Sequence, residues 1–107
     1  MKKIEVSDII DFLRRVLDND LKYITVGKHQ HSISVGYKLS DNLEQLRIEI
    51  FSSSILYFDK YISLDINIDE NQRLELMYYS NKILNKKMEE SYKLIDNLYR
   101  CKNSSDF

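Results

Sequence analysis

The chain has no proline and no alanine, and its 107 residues include two glycines and one cysteine. Each shortage narrows what it can be. A lone Cys101 cannot close an intramolecular disulfide, which points to a reducing compartment. With Gly27 and Gly36 as the only glycines there is little material for a loop that cradles phosphate. Long apolar runs are also missing: the longest is Ile55-Leu56-Tyr57-Phe58, and Glu5, Asp8 and Asp11 interrupt any apolar stretch near the start. Neither a signal peptide nor a membrane span is expected, and the expected location is the bacterial cytoplasm.

What is present suits one soluble domain over residues 1–107. A hydrophobic content of 43% beside 31% charged residues is enough apolar material for a core, which argues against wholesale disorder. The net charge of -1 conceals a segregated field. Residues 1–40 carry seven basic and five acidic side chains, residues 41–75 three and eight, and residues 76–103 six and three, giving +2, -5 and +3 before Asp106 completes the sum. A field of this kind steers association even when the total is near zero.

Residues 7–18 predict a helix, with Ser7 as cap, Asp8 and Asp11 at its positive end, Arg14 and Arg15 at its negative end, and Ile9, Leu13, Val16 and Leu17 as its stripe. Asn19-Asp20 breaks it, and Leu21 to Val26 opens a β region that returns through Ser32 to Leu39 after a five-residue turn at 27–31. Beyond it the even positions Leu46, Ile48, Ile50, Leu56, Phe58, Ile62, Leu64, Ile66 and Ile68 are apolar, which predicts one buried face running through the sheet. Three-residue turns at 52–54 and 59–61 would preserve that parity; two-residue turns would reverse it. The sheet then has five strands, or four if the triple serine is only a bend.

From Asp69 the pattern is helical. Asp69 and Gln72 form a capping box, and Leu74, Met77, Asn81, Leu84, Met88, Ser91, Ile95 and Leu98 follow at gaps of three and four. Thirty helical residues extend about 45 Å against about 24 Å for a strand of seven. Either something covers the overhang or the helix bends near Asn81 or Asn85. The tail from Asn103 is expected to fray. The predicted fold is therefore α+β: an N-terminal helix, an antiparallel sheet of four or five strands, and a long C-terminal amphipathic helix on one face.

The odd face of the sheet gathers Glu49, Tyr57, Asp59, Tyr61, Asp65, Asn67 and Asp69, together with Arg47. Aromatics beside carboxylates can receive a basic protein surface, the acids attracting Lys and Arg while the rings supply contact area. The ordinary alternative is a solvated sheet face. Asn81, Leu84, Met88, Ser91, Ile95 and Leu98 form a seam suited to a second helix, the polar pair setting its register. His29 and His31 lack a third ligand, and the ordinary reading is a polar hairpin tip. Asp65 and Asp69 read as surface charge and capping in the absence of a third ligand or glycine loop. Cys101 sits where the helix dipole disfavours a thiolate. Lys82, Lys86, Lys87 and Lys93 interleave with Glu89, Glu90 and Asp96, the pattern of a solvated face, so no direct nucleic-acid contact is expected. No cofactor, metal or catalytic residue is expected.

The bias toward Ile, Lys, Asn, Tyr, Asp and Ser, with no proline or alanine, is associated with AT-rich genomes such as those of low-GC bacteria and their phages. The opening helix Ser7 to Leu17, the strand Leu21 to Val26, Gly27 and the strand from Ser32 resemble the layout of small phage anti-CRISPR proteins, a layout shared with immunity proteins that neutralise nuclease toxins. The resemblance lies in element order and acidity, and no family residue is carried over. It implies a protein-binding inhibitor of a bacterial nuclease or effector with a basic surface. The other classes open to the sequence are a homodimeric adaptor built on the last helix and a sponge for nucleotide signals, which needs basic residues converging in a pocket.

Overall fold

In the computed structural model, which describes residues 3–40 and 43–105, two helices lie on one face of a five-stranded antiparallel sheet. The elements are α1 (Val6–Asp18), β1 (Ile24–Lys28), β2 (Ile33–Ser40), β3 (Leu43–Ile50), β4 (Ser54–Asp59), β5 (Ser63–Asn67) and α2 (Glu70–Ser105). The strands lie side by side in chain order. The α+β architecture is the one the sequence predicts, with five strands rather than four.

Helix α1 starts one residue earlier than Ser7 suggests. Glu5 is its cap, and its N–H donates to Asp8 Oδ2 at 3.0 Å, so the acid in the first turn satisfies a backbone group that the helix itself cannot. Val6, Ile9, Ile10, Leu13 and Val16 are buried on one face. Leu21, expected in a strand, is fully buried in the turn that follows, and β1 begins only at Ile24.

The hairpin tips are tighter than the sequence suggested. His29 N–H donates to the Ser32 carbonyl at 2.8 Å, which leaves Gln30 and His31 as a two-residue tip in place of a five-residue turn. Phe51 to Ser54 and Asp59 to Ile62 close in the same way, with Ser52-Ser53 and Lys60-Tyr61 at the tips. Two-residue tips reverse parity, and the register shows it: Ile48 lies opposite Tyr57 and Ile50 opposite Ile55, then Ile55 opposite Ile66 and Tyr57 opposite Leu64. The two reversals cancel in β5 and leave β4 alone inverted. The continuous even face is therefore wrong in β4, where Ile55 and Tyr57 point into the core and Leu56 and Phe58 point out.

The core joins α1 to Ile33, Val35, Ile48, Ile50, Ile55 and Tyr57 of the sheet and to Leu76 and Ile83 of α2. The face that α2 turns inward is Leu76, Ser80 and Ile83, one position away from the predicted stripe; Leu74 is 54% exposed and Asn81 is exposed. Helix α2 is continuous from Glu70 to Ser105, with no break at Asn81 or Asn85 and no end at Asn103. Its 36 residues extend about 54 Å, which accounts for a molecule 61 Å long and only 28 by 26 Å across.

The two helices run in the same direction. Arg14 Nε donates to Tyr79 Oη at 3.2 Å and the guanidinium lies 3.6 Å from Glu75, while Lys86 Nζ donates to the carbonyls of Leu17 at 2.7 Å and Asn19 at 3.3 Å. A cation from α2 thus occupies the negative end of α1 and satisfies carbonyls that have no intrahelical partner.

Candidate protein-binding surfaces

Both helices occupy the inner face, so the outer face of the sheet is open. Its side chains align across the strands by the register. One row runs Gly27, Ser34, Glu49, Leu56 and Asp65; the next runs Thr25, Gly36, Arg47, Phe58 and Ser63. Leu56 therefore stands between two carboxylates, and the Arg47 guanidinium stacks 4.9 Å from the centre of the Phe58 ring. Arg47 also lies 3.6 Å from Glu49. A Cβ at Gly27 would come within 2.9 Å of Ser34 Oγ and 3.1 Å of the His29 ring, so a larger residue there displaces those two side chains.

Of the residues expected on this face, Glu49, Asp65 and Asn67 are on it. Tyr57 is not. It is buried in the core, its hydroxyl donating to Asp59 Oδ2 at 3.4 Å, because β4 is inverted. Burial, followed by the Asp59 carboxylate, raises the phenol pKa above the ordinary tyrosine value. Asp59 is a turn residue whose Oδ1 accepts the N–H groups of Tyr61 and Ile62 at 2.8 and 2.7 Å. Tyr61 stands at the tip, 85% exposed. Asp69 caps α2 in the box read from the sequence, its Oδ1 accepting the Gln72 N–H at 2.8 Å and its own N–H donating to Gln72 Oε1 at 3.1 Å. Leu56 and Phe58 were missed. The signal was the unbroken apolar run 55–58, which cannot bury both parities of a strand whose second face is open.

Two clefts lie at the margins of the inner face. One of about 410 Å3 separates α1 from β3 and β4, with Asp8, Asp11 and Asp59 set against Lys3 and Arg15 over an apolar floor. The other, of about 400 Å3, collects Lys28, His29, His31 and Arg73 between two hairpin tips and α2. Arg73 is already forked to Glu70 at 3.1 and 2.6 Å, which holds that carboxyl below its ordinary pKa, and the His29 ring lies 3.2 Å from Ser34 Oγ. The histidines do not join a metal cluster: among the described residues no three His, Cys, Asp or Glu side chains come together.

The remaining unpartnered surface is on α2. Every residue from Glu89 to Arg100 is exposed, including Tyr92, Leu94, Ile95, Leu98 and Tyr99, each more than 60%. The predicted seam divides here. Leu84 packs against the core and Asn81 flanks the body, Met88 and Ser91 line a groove beside β1, and Ile95 and Leu98 belong to the projecting part. The Cys101 side chain lies outside the described residues. No helix among the described residues is long and apolar enough to cross a membrane. No family model, curated protein or solved structure matches the chain.

Proposed function

We propose that the chain acts by binding another protein, as a small inhibitor of the anti-defence kind without turnover of its own, and that its contact surface is the open outer face of the sheet. The observation that carries this reading is the row Glu49, Leu56, Asp65 with Phe58 beside it: an apolar group between two carboxylates, next to an aromatic ring under the Arg47 guanidinium, on a face that neither helix covers. A lysine or arginine of a partner can lay its stem over Leu56 while its charge meets Asp65, alongside the Arg47 guanidinium that covers Phe58 and reaches Glu49. The target is then a bacterial nuclease or effector with a basic surface. Asn67 and the exposed Tyr61 extend the patch, while Tyr57, Asp59 and Asp69 serve the fold.

The test is affinity capture from a bacterial lysate with the wild-type chain and with the double variant Leu56→Ser, Asp65→Lys. A protein retained by the wild type, released as salt rises and lost by the variant supports the reading. Retention that ignores both changes overturns it, as does turnover of a nucleotide, nucleic acid or peptide by the purified chain. The projecting half of α2 favours a second, compatible role in self-association.

A further inference from the structure

We infer that the projecting half of α2 is covered by the same segment of a second copy of this chain, packed antiparallel with Ile95 near the two-fold axis. This concerns a different surface from the outer sheet face and stands independently of it.

Helical geometry separates the segment into two faces. At 100° per residue Met88, Tyr92, Leu94, Ile95, Leu98 and Tyr99 fall on one arc, with Ser91 among them, and Glu89, Glu90, Lys93, Asp96, Asn97 and Arg100 fall on the other. The apolar arc continues the line of Leu84 and Met88, which wall a groove of about 560 Å3 against Ile24, Thr25 and Val26 of the edge strand β1. Surface that lies along the body beside β1 thus runs without interruption into surface that no described residue covers.

The area suits a dimer. Six large side chains present on the order of 600 Å2 of contiguous apolar surface, more than a monomer ordinarily leaves open. Two copies together reach roughly 1,200 Å2, the lower bound of a stable interface, and a two-fold pair is the commonest closed arrangement.

Charge permits a second copy, and side-chain size sets its direction. From Lys87 to Arg100 three cations (Lys87, Lys93, Arg100) balance three acids (Glu89, Glu90, Asp96), so the segment does not repel itself. Those from Glu89 onward lie on the arc away from the apolar one, where Arg100 already pairs with Asp96 at 3.2 Å, so they leave the apolar contact undisturbed. A parallel pair sets Tyr99 on Tyr99 and Ser91 on Ser91, large on large and small on small, which an antiparallel pair avoids. With Ile95 facing its own copy, Tyr99 comes opposite Ser91 and Leu98 opposite Tyr92, a large side chain over a small one at the first pair.

Sedimentation equilibrium of the full chain, from micromolar to several hundred micromolar, reads the outcome. The wild type is expected at twice 12.8 kDa, and Ile95→Asp should weaken association about thirtyfold or more with the far-ultraviolet spectrum of the body retained. With Cys101→Ser, a mixture of Ser91→Cys and Tyr99→Cys chains should give a mixed disulfide-linked dimer, which neither variant gives alone. In a Cys101→Ser background, Ile95→Cys should oxidise to a disulfide-linked dimer. A wild type monomeric at the highest concentration overturns the pairing, as does a dimer indifferent to Ile95→Asp. A dimer that loses affinity at Ile95 but cross-links Ser91→Cys to itself rather than to Tyr99→Cys overturns the antiparallel arrangement. None of these results touches the outer sheet face, whose own test is the lysate capture.

Discussion

Tyr57 shows how one residue of turn length decides a side chain's task. With a three-residue tip it would lie on the outer face as a contact aromatic; with the two-residue tip Ser52-Ser53 it enters the core, and its hydroxyl finds Asp59. The buried phenol holds its proton more tightly than in the unfolded chain. The native state therefore binds more protons once the pH exceeds the unfolded value near 10, and stability falls as pH rises from there through the native pKa. Urea titrations between about pH 9 and about pH 11 should show Tyr57→Phe losing less stability than the wild type over that window. An identical pH dependence in the two proteins would mean that Tyr57 is not the group responsible. The same inversion predicts unequal neighbours: Ile55→Ala should cost about 2–5 kcal/mol, and Leu56→Ala about 1 kcal/mol or less, read from denaturant midpoints. The reverse order would restore the even-numbered face.

At the scale of elements, the sequence was most legible where local chemistry is decisive. The Asp69 and Gln72 capping box and the apolar stripe of α1 follow from side-chain hydrogen bonding and helical period, and both are in place. The strand parity failed because Ile55 to Phe58 are apolar at every position, so the pattern on either side passed through β4 without contradiction. The inward face of α2 failed for a related reason. Leu76 and Ile83 and the predicted Leu74, Met77 and Leu84 are all apolar on one broad arc, and which part turns inward is set by the packing of α1 and the sheet rather than by spacing. Contacts from one element to the end of another carry no local signal at all. Lys86 reads as one more surface lysine, yet it donates to two carbonyls at the end of α1. Lys86→Met keeps the stem and removes the charge, and should cost about 1 kcal/mol in thermal unfolding, while Lys82→Met should cost less than half of that. Equal effects would show that the contact to α1 contributes nothing.

At the scale of the whole molecule, the length of α2 separates stability from association. Residues 93–100 are all exposed and lie beyond the groove that Ser91 and Tyr92 line beside β1, so a chain stopped after Tyr92 should keep its sheet and α1. Its melting temperature should not vary with protein concentration, whereas that of the full chain should rise with concentration if the dimer forms. Loss of cooperative unfolding in the shortened chain would instead show that the projecting segment supports the fold.

The same layout gives each new chain a history. Five strands in chain order need no crossover, so each hairpin can close within microseconds of leaving the ribosome. Helix α1 has no such neighbour: Arg14 meets Tyr79 across 65 residues, a stretch that takes several seconds to synthesise. During that interval Ile9, Ile10 and Leu13, and the inner face at Ile48, Ile50 and Ile55, lack the α2 side chains that will cover them. The first helix made waits longest for its full set of partners, and a nascent chain halted before Leu76 would have only the sheet and α1 to cover each other, leaving the α2 side of both apolar surfaces open to whatever chaperone or protease arrives first.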